Sequence, residues 1–151
     1  MSDCCTLIQS HSKIQVEENG MKACFNNLER LNYTVTKVDG CLITKGRRCD
    51  YLVSKTNIAS VLVELKGKSV EHAINQLLES ISHPKVKPLL NSKIGCLIIA
   101  SQSPSFNRFI REAQTKFARH KSGLTIRTKK GEFNILDLTK IAQPRKNNNA
   151  K

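Results

Sequence analysis

The sequence predicts an α/β or α+β fold in which helices flank a central mixed β-sheet. Helical and strand-like hydrophobic periodicities alternate along the chain in the order α-β-β-β-β-α-β-α-β-β. A length of 151 residues is enough for one hydrophobic core. A continuous apolar run at residues 94–100 is typical of a strand covered on both faces. We therefore expect one domain over residues 1–142, followed by a disordered basic tail at residues 143–151.

The first element is predicted to be a helix over residues 13–31. Ser12 and Gln15 have the spacing of a capping box, in which two side chains satisfy backbone N–H groups at the start of a helix. Apolar residues then follow at helical spacing: Ile14, Met21, Cys24, Phe25, Leu28 and Leu31.

Four strands in two antiparallel pairs are expected next. Their segments alternate with period two or are rich in β-branched and aromatic residues. Asp39-Gly40 supplies a hairpin turn for the first pair, and a turn centred on Thr56 joins the second pair. The four segments are residues 33–38, 41–44, 49–54 and 58–65.

A helix and a central strand follow these pairs. Ser69 can cap a helix that ends at His83-Pro84, with its apolar residues at helical spacing. The crossover from this helix into residues 94–100 favours parallel pairing of that strand, near the centre of the sheet.

The last elements are predicted to be a helix and a hairpin. Ser103-Pro104 has the form of a cap followed by a first-turn proline, and Gly123 stops the helix. Residues 124–128 and 133–138 are expected to pair as a closing hairpin.

The charge of the chain favours nucleic acid as its partner. It carries 25 Lys and Arg against 12 Asp and Glu, a formal net charge of +13. A basic surface attracts polyanions by steering and by release of counterions. The chain has no apolar run of membrane-spanning length, and its first residues do not have the pattern of an export signal, so we expect a cytoplasmic protein.

The cysteines are expected to be reduced and mostly buried. The six cysteines form no CxxC pair and no Cys/His spacing of the zinc-site kind. Cys4 and Cys5 are interpreted as ordinary thiols near a terminus, because no neighbour in the sequence would lower their pKa.

Three charged residues indicate a catalytic centre. Glu64 and Lys66 lie two positions apart on one predicted strand and share a face, whereas Leu65 points to the core. With the turn centred on Thr56, Asp50 lies diagonal to Glu64 on that face, opposite Leu62. The repulsion between two carboxylates is relieved by a divalent cation, and oxygen ligands suit Mg²⁺ or Mn²⁺. The competing interpretation is a set of solvated charges on an edge strand.

These residues resemble the PD-(D/E)xK nuclease superfamily, which includes restriction endonucleases and Holliday-junction resolvases. The resemblance covers residues 12–100 and implies a restriction-endonuclease-like core with the order α-β-β-β-α-β. It implies that Asp50 and Glu64 bind the metal, with the Leu65 carbonyl as a third ligand, and that Lys66 is the catalytic lysine. Cys49 stands where the family name has proline.

Further residues are expected around this centre. Glu17 projects into the apolar stripe of the predicted first helix, and the resemblance implies that it joins the metal site, with Glu18 as the alternate. A favourable position in the first turn of a helix would explain Glu17 as well. Gln76 is expected to lie beside the site on the following helix. The residues expected to contact phosphate groups are Arg47, Arg48 and Lys68.

The function expected from these features is that of a metal-dependent phosphodiester hydrolase, a DNA endonuclease that could act as a homodimer. Asp50 and Glu64 would bind Mg²⁺ or Mn²⁺, and Lys66 would assist the attacking water. Two alternatives remain open: a ribonuclease, including a toxin-like one, that uses the same site, and a non-catalytic nucleic-acid-binding module of the same fold.

Overall fold

Nine β-strands and three α-helices form the regular structure of the described residues. The computed structural model describes residues 3–66, 69–102 and 108–141, without the side chains of Asp3 and Lys66. The strands are β1 (Thr6–Gln9), β2 (Lys13–Glu18), β3 (Met21–Asn26), β4 (Tyr33–Lys37), β5 (Tyr51–Lys55), β6 (Ala59–Lys66), β7 (Lys93–Ala100), β8 (Ser122–Thr128) and β9 (Lys130–Phe133). The helices are α1 (Val70–Ile81), α2 (Arg108–Arg119) and α3 (Ile135–Leu138).

The central sheet has six strands in the order β1-β4-β5-β6-β7-β8. Strands β1, β4, β5 and β6 pair antiparallel, whereas β6, β7 and β8 pair parallel. A second sheet has the order β2-β3-β9, with β3 and β9 parallel. The predicted α+β class with a central mixed sheet is therefore confirmed.

Two hydrophobic cores lie on opposite faces of the central sheet. Alternate residues of β6, such as Val61 and Val63, face the second sheet and α3. Leu62 faces α1 and α2 on the other side, with Ile74 and Phe117 in the same core. The protein thus has three layers, and the central strands are buried on both faces.

The predicted first helix is wrong, because residues 13–26 form the β2–β3 hairpin. Ile14 and Val16 are buried and alternate with exposed residues, which is the period of a strand. Asn19 and Gly20 form a two-residue loop with φ values of 53° and 78°, as a type I′ turn requires. Leu28, assigned to the buried face of the helix, is 86% exposed.

Two further predicted strand segments are also wrong. Residues 41–44 form turns, with only an isolated bridge between Asp39 and Ile43. Residues 135–138 form α3 instead of a strand, and β9 pairs with β3 and not with β8. The predicted strands follow from local sequence patterns, but the pairing of β9 with β3 depends on how the chain folds back onto the second sheet.

The central elements agree with the prediction. The Ser69 Oγ accepts a hydrogen bond of 3.1 Å from the His72 N–H at the start of α1. Residues 94–100 lie in β7, a buried parallel strand between β6 and β8. Helix α2 ends at Arg119, before the predicted stop at Gly123, and its predicted start at Ser103-Pro104 lies outside the described residues.

The β5–β6 hairpin has a register shifted by two residues from the predicted one. Lys55 pairs with Ala59, so that the loop is centred on Asn57, whose φ is 63°. As a result Leu52, and not Asp50, lies opposite Leu62. Beyond β5 this register is not continued, because the Asp50 N–H bonds to the carbonyl of Val63, which is the partner of Tyr51.

The cysteines divide into three groups, of which the first is Cys4, an exposed thiol. Cys24, Cys49 and Cys96 are buried thiols, as predicted. Cys5 and Cys41 were expected to be reduced, but they form a disulfide across 36 positions of the sequence. The bond joins a 3-10 turn before β1 to the turn after β4, a proximity that arises from the pairing of β1 with β4.

Replacing Cys5 and Cys41 with Ser is expected to lower the free energy of unfolding by about 3 kcal/mol in oxidising buffer, because the open chain regains the conformational freedom of the closed loop. Urea denaturation in EDTA would measure the change. Under a reductant the wild type and the variant should unfold at the same urea concentration, and equal stability in oxidising buffer would contradict the prediction.

The described part of the chain has no helix of the length and apolar character needed to cross a membrane.

Candidate active site

Asp50 lies directly before β5 and is hydrogen-bonded to the end of β6. Its N–H donates to the Val63 carbonyl at 3.1 Å, although Val63 pairs with Tyr51 in the ladder, so Asp50 departs from the regular register. One carboxylate oxygen, Oδ2, accepts from the Leu65 N–H at 2.7 Å. A strand residue points its N–H and C=O to the same side. The Leu65 carbonyl is therefore on the side of Asp50, as the predicted third ligand requires.

Glu64 is a carboxylate within the core. It is 1% exposed, and its place on β6 is on the same face as Leu62, towards α1. The pKa of the Cys49 thiol is raised well above its usual range. Burial is the largest cause, and the charges of Glu64 and Asp50 are among the others. Cys49 is thus close to both predicted metal ligands.

The second sheet brings Glu18, and not Glu17, to Asp50. Strand β2 alternates its side chains, so that Glu17 is exposed on the outer face whereas Glu18 is half-buried. The charge of Glu18 raises the pKa of Asp50, and Glu18 forms an ion pair of 3.8 Å with Lys37. The alternate residue of the sequence analysis therefore reaches the site, although it reaches it from a strand.

Asp50 has a strongly perturbed pKa. Burial is the main cause and raises the pKa of Asp50 from an ordinary value of 3.8 to about 6. The hydrogen bond from the Leu65 N–H favours the charged carboxylate and lowers it, whereas the charges of Glu18 and Asp39 and the hydrogen bond with Glu18 raise it. Two carboxyl groups can hydrogen-bond to each other only when one of them holds a proton. Below about pH 6 a proton on Asp50 relieves its repulsion with Glu18, and at higher pH a bound cation would do so.

Lys37 and Tyr51 lie beside this carboxylate pair, and the sequence patterns did not single them out. They are opposite each other in the β4–β5 ladder, and the Lys37 Nζ is 5.9 Å from the centre of the Tyr51 ring. Burial, followed by the charge of Glu18, raises the pKa of Tyr51. Both residues belong to the predicted strand patterns, but only the approach of the second sheet places Glu18 beside them.

Helix α1 is attached to the site by a chain of hydrogen bonds. The Cys49 N–H donates to the Ser80 Oγ at 2.7 Å, and the Ser80 hydroxyl donates to the Gln76 carbonyl at 2.8 Å. Gln76 itself is half-buried, and its Oε1 is buried without a hydrogen-bond partner among the described residues. Ser80 is a positioning residue that the sequence analysis missed, because the serine falls within the apolar stripe of the helix.

The predicted cationic residues have different environments. Arg47 is exposed, whereas Arg48 is half-buried and forms an ion pair of 2.6 Å with Asp39. The Lys66 backbone pairs with Ala100 at the end of β6. The Lys66 side chain and the whole of Lys68 lie outside the described residues.

The oxygen donors around Asp50 fit a hard divalent cation such as Mg²⁺ or Mn²⁺. Asp50 and Glu18 supply carboxylates whose charges interact, and the Leu65 carbonyl is on the side of Asp50. Within the described ranges, however, the one group of three His, Cys, Asp or Glu residues whose ligand atoms all lie within 4.8 Å is Cys4, Cys5 and Cys41. Joint binding by Asp50, Glu18 and Glu64 would therefore require their carboxylates to move closer together.

Comparison of the chain with models of protein families, with curated proteins and with solved structures finds no match. What the site can do therefore has to be inferred from its own residues and their geometry.

Proposed function

We propose that the protein is a metal-dependent phosphodiester hydrolase that cleaves DNA as an endonuclease. The observation that carries the proposal is the burial of two carboxylates: Asp50, directly before β5, is 9% exposed, and Glu64, on β6, is 1% exposed. Such groups are almost never buried unless they are paired or bind a metal, since transfer of a charge from water is unfavourable. Binding of a cation needed for function would explain why two carboxylates are buried despite this unfavourable transfer.

The order of the central elements adds support. Strands β4, β5 and β6, helix α1 and strand β7 follow one another as β-β-β-α-β. This is the order of the PD-(D/E)xK core after its first helix, and the chain has the β2–β3 hairpin where that helix would be. Glu64, Leu65 and Lys66 end the third of these strands, as the ExK motif of that superfamily does.

Each residue of the site has a defined task in this proposal. Asp50 and Glu64 bind the cation, with Glu18 as a further carboxylate ligand and the Leu65 carbonyl as a neutral one. Lys66 orients the attacking water or neutralises charge that develops on the phosphate. A bound Mg²⁺ or Mn²⁺ would polarise the phosphodiester and stabilise the leaving oxygen.

The surface before Asp50 suits a polyanionic substrate. Lys45 and Arg47 are exposed in the turn that leads into the site, and the whole chain carries a net charge of +13. Arg48 forms an ion pair with Asp39, and Lys37 forms one with Glu18. Lys45 and Arg47 are therefore better placed to contact phosphate groups. Contacts to the backbone of a duplex need no base stacking, and the chain has few aromatic residues.

The test is incubation of the full chain with supercoiled plasmid, branched duplex and tRNA, with Mg²⁺, Mn²⁺ or EDTA. We expect cleavage of one or both DNA substrates that requires a divalent cation and is lost in Asp50→Ala and Lys66→Ala. Cleavage of tRNA alone would instead indicate the ribonuclease. Uncut substrates that are nevertheless bound would indicate the non-catalytic module, and cleavage that survives Asp50→Ala would exclude this site.

A further inference from the structure

Three cysteine sulfurs converge where the segment before β1 meets the turn after β4. The Sγ atoms of Cys4, Cys5 and Cys41 all lie within 4.8 Å of one another. Cys5 and Cys41 form the disulfide, and Cys4 is an exposed thiol next to it. A disulfide needs only two cysteines, so the third sulfur at this distance calls for a separate explanation.

The spacing of the three sulfurs is close to that of a metal site. A Zn–S bond is about 2.3 Å long, so tetrahedral coordination places two thiolate sulfurs roughly 3.8 Å apart. Reduction of the Cys5–Cys41 disulfide breaks the bond between these two sulfurs and lets them move apart to that distance. Cys4 already lies within 4.8 Å of both sulfurs. Soft thiolates select zinc over the hard cations that carboxylates bind.

We propose that Cys4, Cys5 and Cys41 form a redox-gated zinc site, of which the disulfide is the oxidised, metal-free state. A phosphine or thiol reductant gives two electrons to the disulfide and leaves the Cys5 and Cys41 thiols. With a phosphine, water supplies both protons and the oxygen of the phosphine oxide. Zn²⁺ then displaces one proton from each of the three thiols into solvent, and a water fills the fourth position.

Both states of this site join the same two segments of the chain. The disulfide links the 3-10 turn of Asp3–Cys5 to the turn between β4 and β5, and three zinc–sulfur bonds would link them again after reduction. The turn between β4 and β5 also contains Asp39, which forms an ion pair with Arg48 and whose charge raises the pKa of Asp50. The position of the turn beside the carboxylates would thus be kept under both oxidising and reducing conditions.

The test is a zinc titration of the purified full chain, oxidised or reduced with a phosphine, followed by competition with a chromophoric chelator. Excess Mg²⁺ is present throughout, and zinc binding is measured without any cleavage assay, so failure of this proposal and failure of the proposed hydrolase are distinguishable. We expect one zinc per reduced chain and at least tenfold weaker binding to the oxidised chain. Replacement of zinc by Co²⁺ should give the absorption of a thiolate-to-metal charge transfer.

Variants decide whether these three sulfurs are the ligands. Cys4→Ser changes an exposed residue and leaves the Cys5–Cys41 disulfide intact, so the variant should keep the fold. Circular dichroism checks this. We expect Cys4→Ser and Cys41→Ser to bind zinc at least tenfold more weakly after reduction, whereas Cys24→Ala, a thiol of the second sheet, binds as the wild type does. Absence of zinc from the reduced wild type, or unchanged affinity in Cys4→Ser, would overturn the proposal.

Discussion

Replacement of Glu64 with Gln should lower the rate of Mg²⁺-dependent DNA cleavage by about 10²- to 10³-fold, the effect typical of removing one group that stabilises a transition state. Gln keeps the size of a side chain that is 1% exposed, so the core packing around β6 is retained. It removes the negative charge that the proposed cation requires. Single-turnover cleavage of plasmid at saturating Mg²⁺ measures the effect on the chemical step.

Variants of β2 and α1 give this experiment its internal comparison. Glu18→Gln should also slow cleavage, because the charge of Glu18 acts on Asp50, whereas the helix predicted from the sequence would have put Glu17 in that role. Glu79→Gln removes an exposed carboxylate of α1 and serves as the matched control, with an unchanged rate. A Glu64→Gln enzyme as fast as this control would show that cleavage takes place elsewhere on the protein.

Replacement of Asp50 with Asn should stabilise the metal-free protein at neutral pH while it abolishes cleavage. The pKa of Asp50 is raised from 3.8 to about 6, so the folded state holds its proton more tightly than the unfolded state does. The contribution of Asp50 to the free energy of unfolding therefore falls as the pH rises from 3.8 to about 6, and it stays low at higher pH. Since one pKa unit corresponds to about 1.4 kcal/mol, the rise from 3.8 to about 6 corresponds to about 3 kcal/mol, which we expect Asn to gain at neutral pH relative to acidic pH.

Urea denaturation in EDTA at about pH 4 and about pH 8 measures this difference. Addition of Mg²⁺ at the higher pH should stabilise the wild type, since a ligand that binds only the folded state shifts the unfolding equilibrium. It should leave Asp50→Asn unchanged. A stability difference between the two proteins that does not vary with pH would mean that Asp50 does not titrate as its environment indicates.

Local patterns were sufficient for the elements that contain their own signals. Ser69 caps α1, and the helical spacing of Ile74 and Leu77 places them in the core. The unbroken apolar run of β7 marked a strand buried on both faces. In each case the residues that specify the structure lie within one turn or one strand of each other, so the sequence holds the whole signal.

The first helix failed because two periodicities compete over residues 13–31. Ile14 and Val16 follow the period of a strand, but Met21, Cys24 and Phe25 also fit a helix. The deciding signal was present in Asn19-Gly20, since both residues adopt positive φ in the two-residue loop. That dipeptide would have separated the hairpin from the helix.

From sequence alone, the α+β class with a central mixed sheet could be determined, because strand alternation and helical spacing are local signals. That Asp50, Glu64 and Lys66 act as one group stays a prediction. The tertiary structure decided the rest of the carboxylate site. Glu18 reaches Asp50 only because the second sheet packs on the central one, and Ser80 reaches Cys49 only across the helix layer. Such contacts depend on how layers pack, and no local period of the sequence encodes that arrangement.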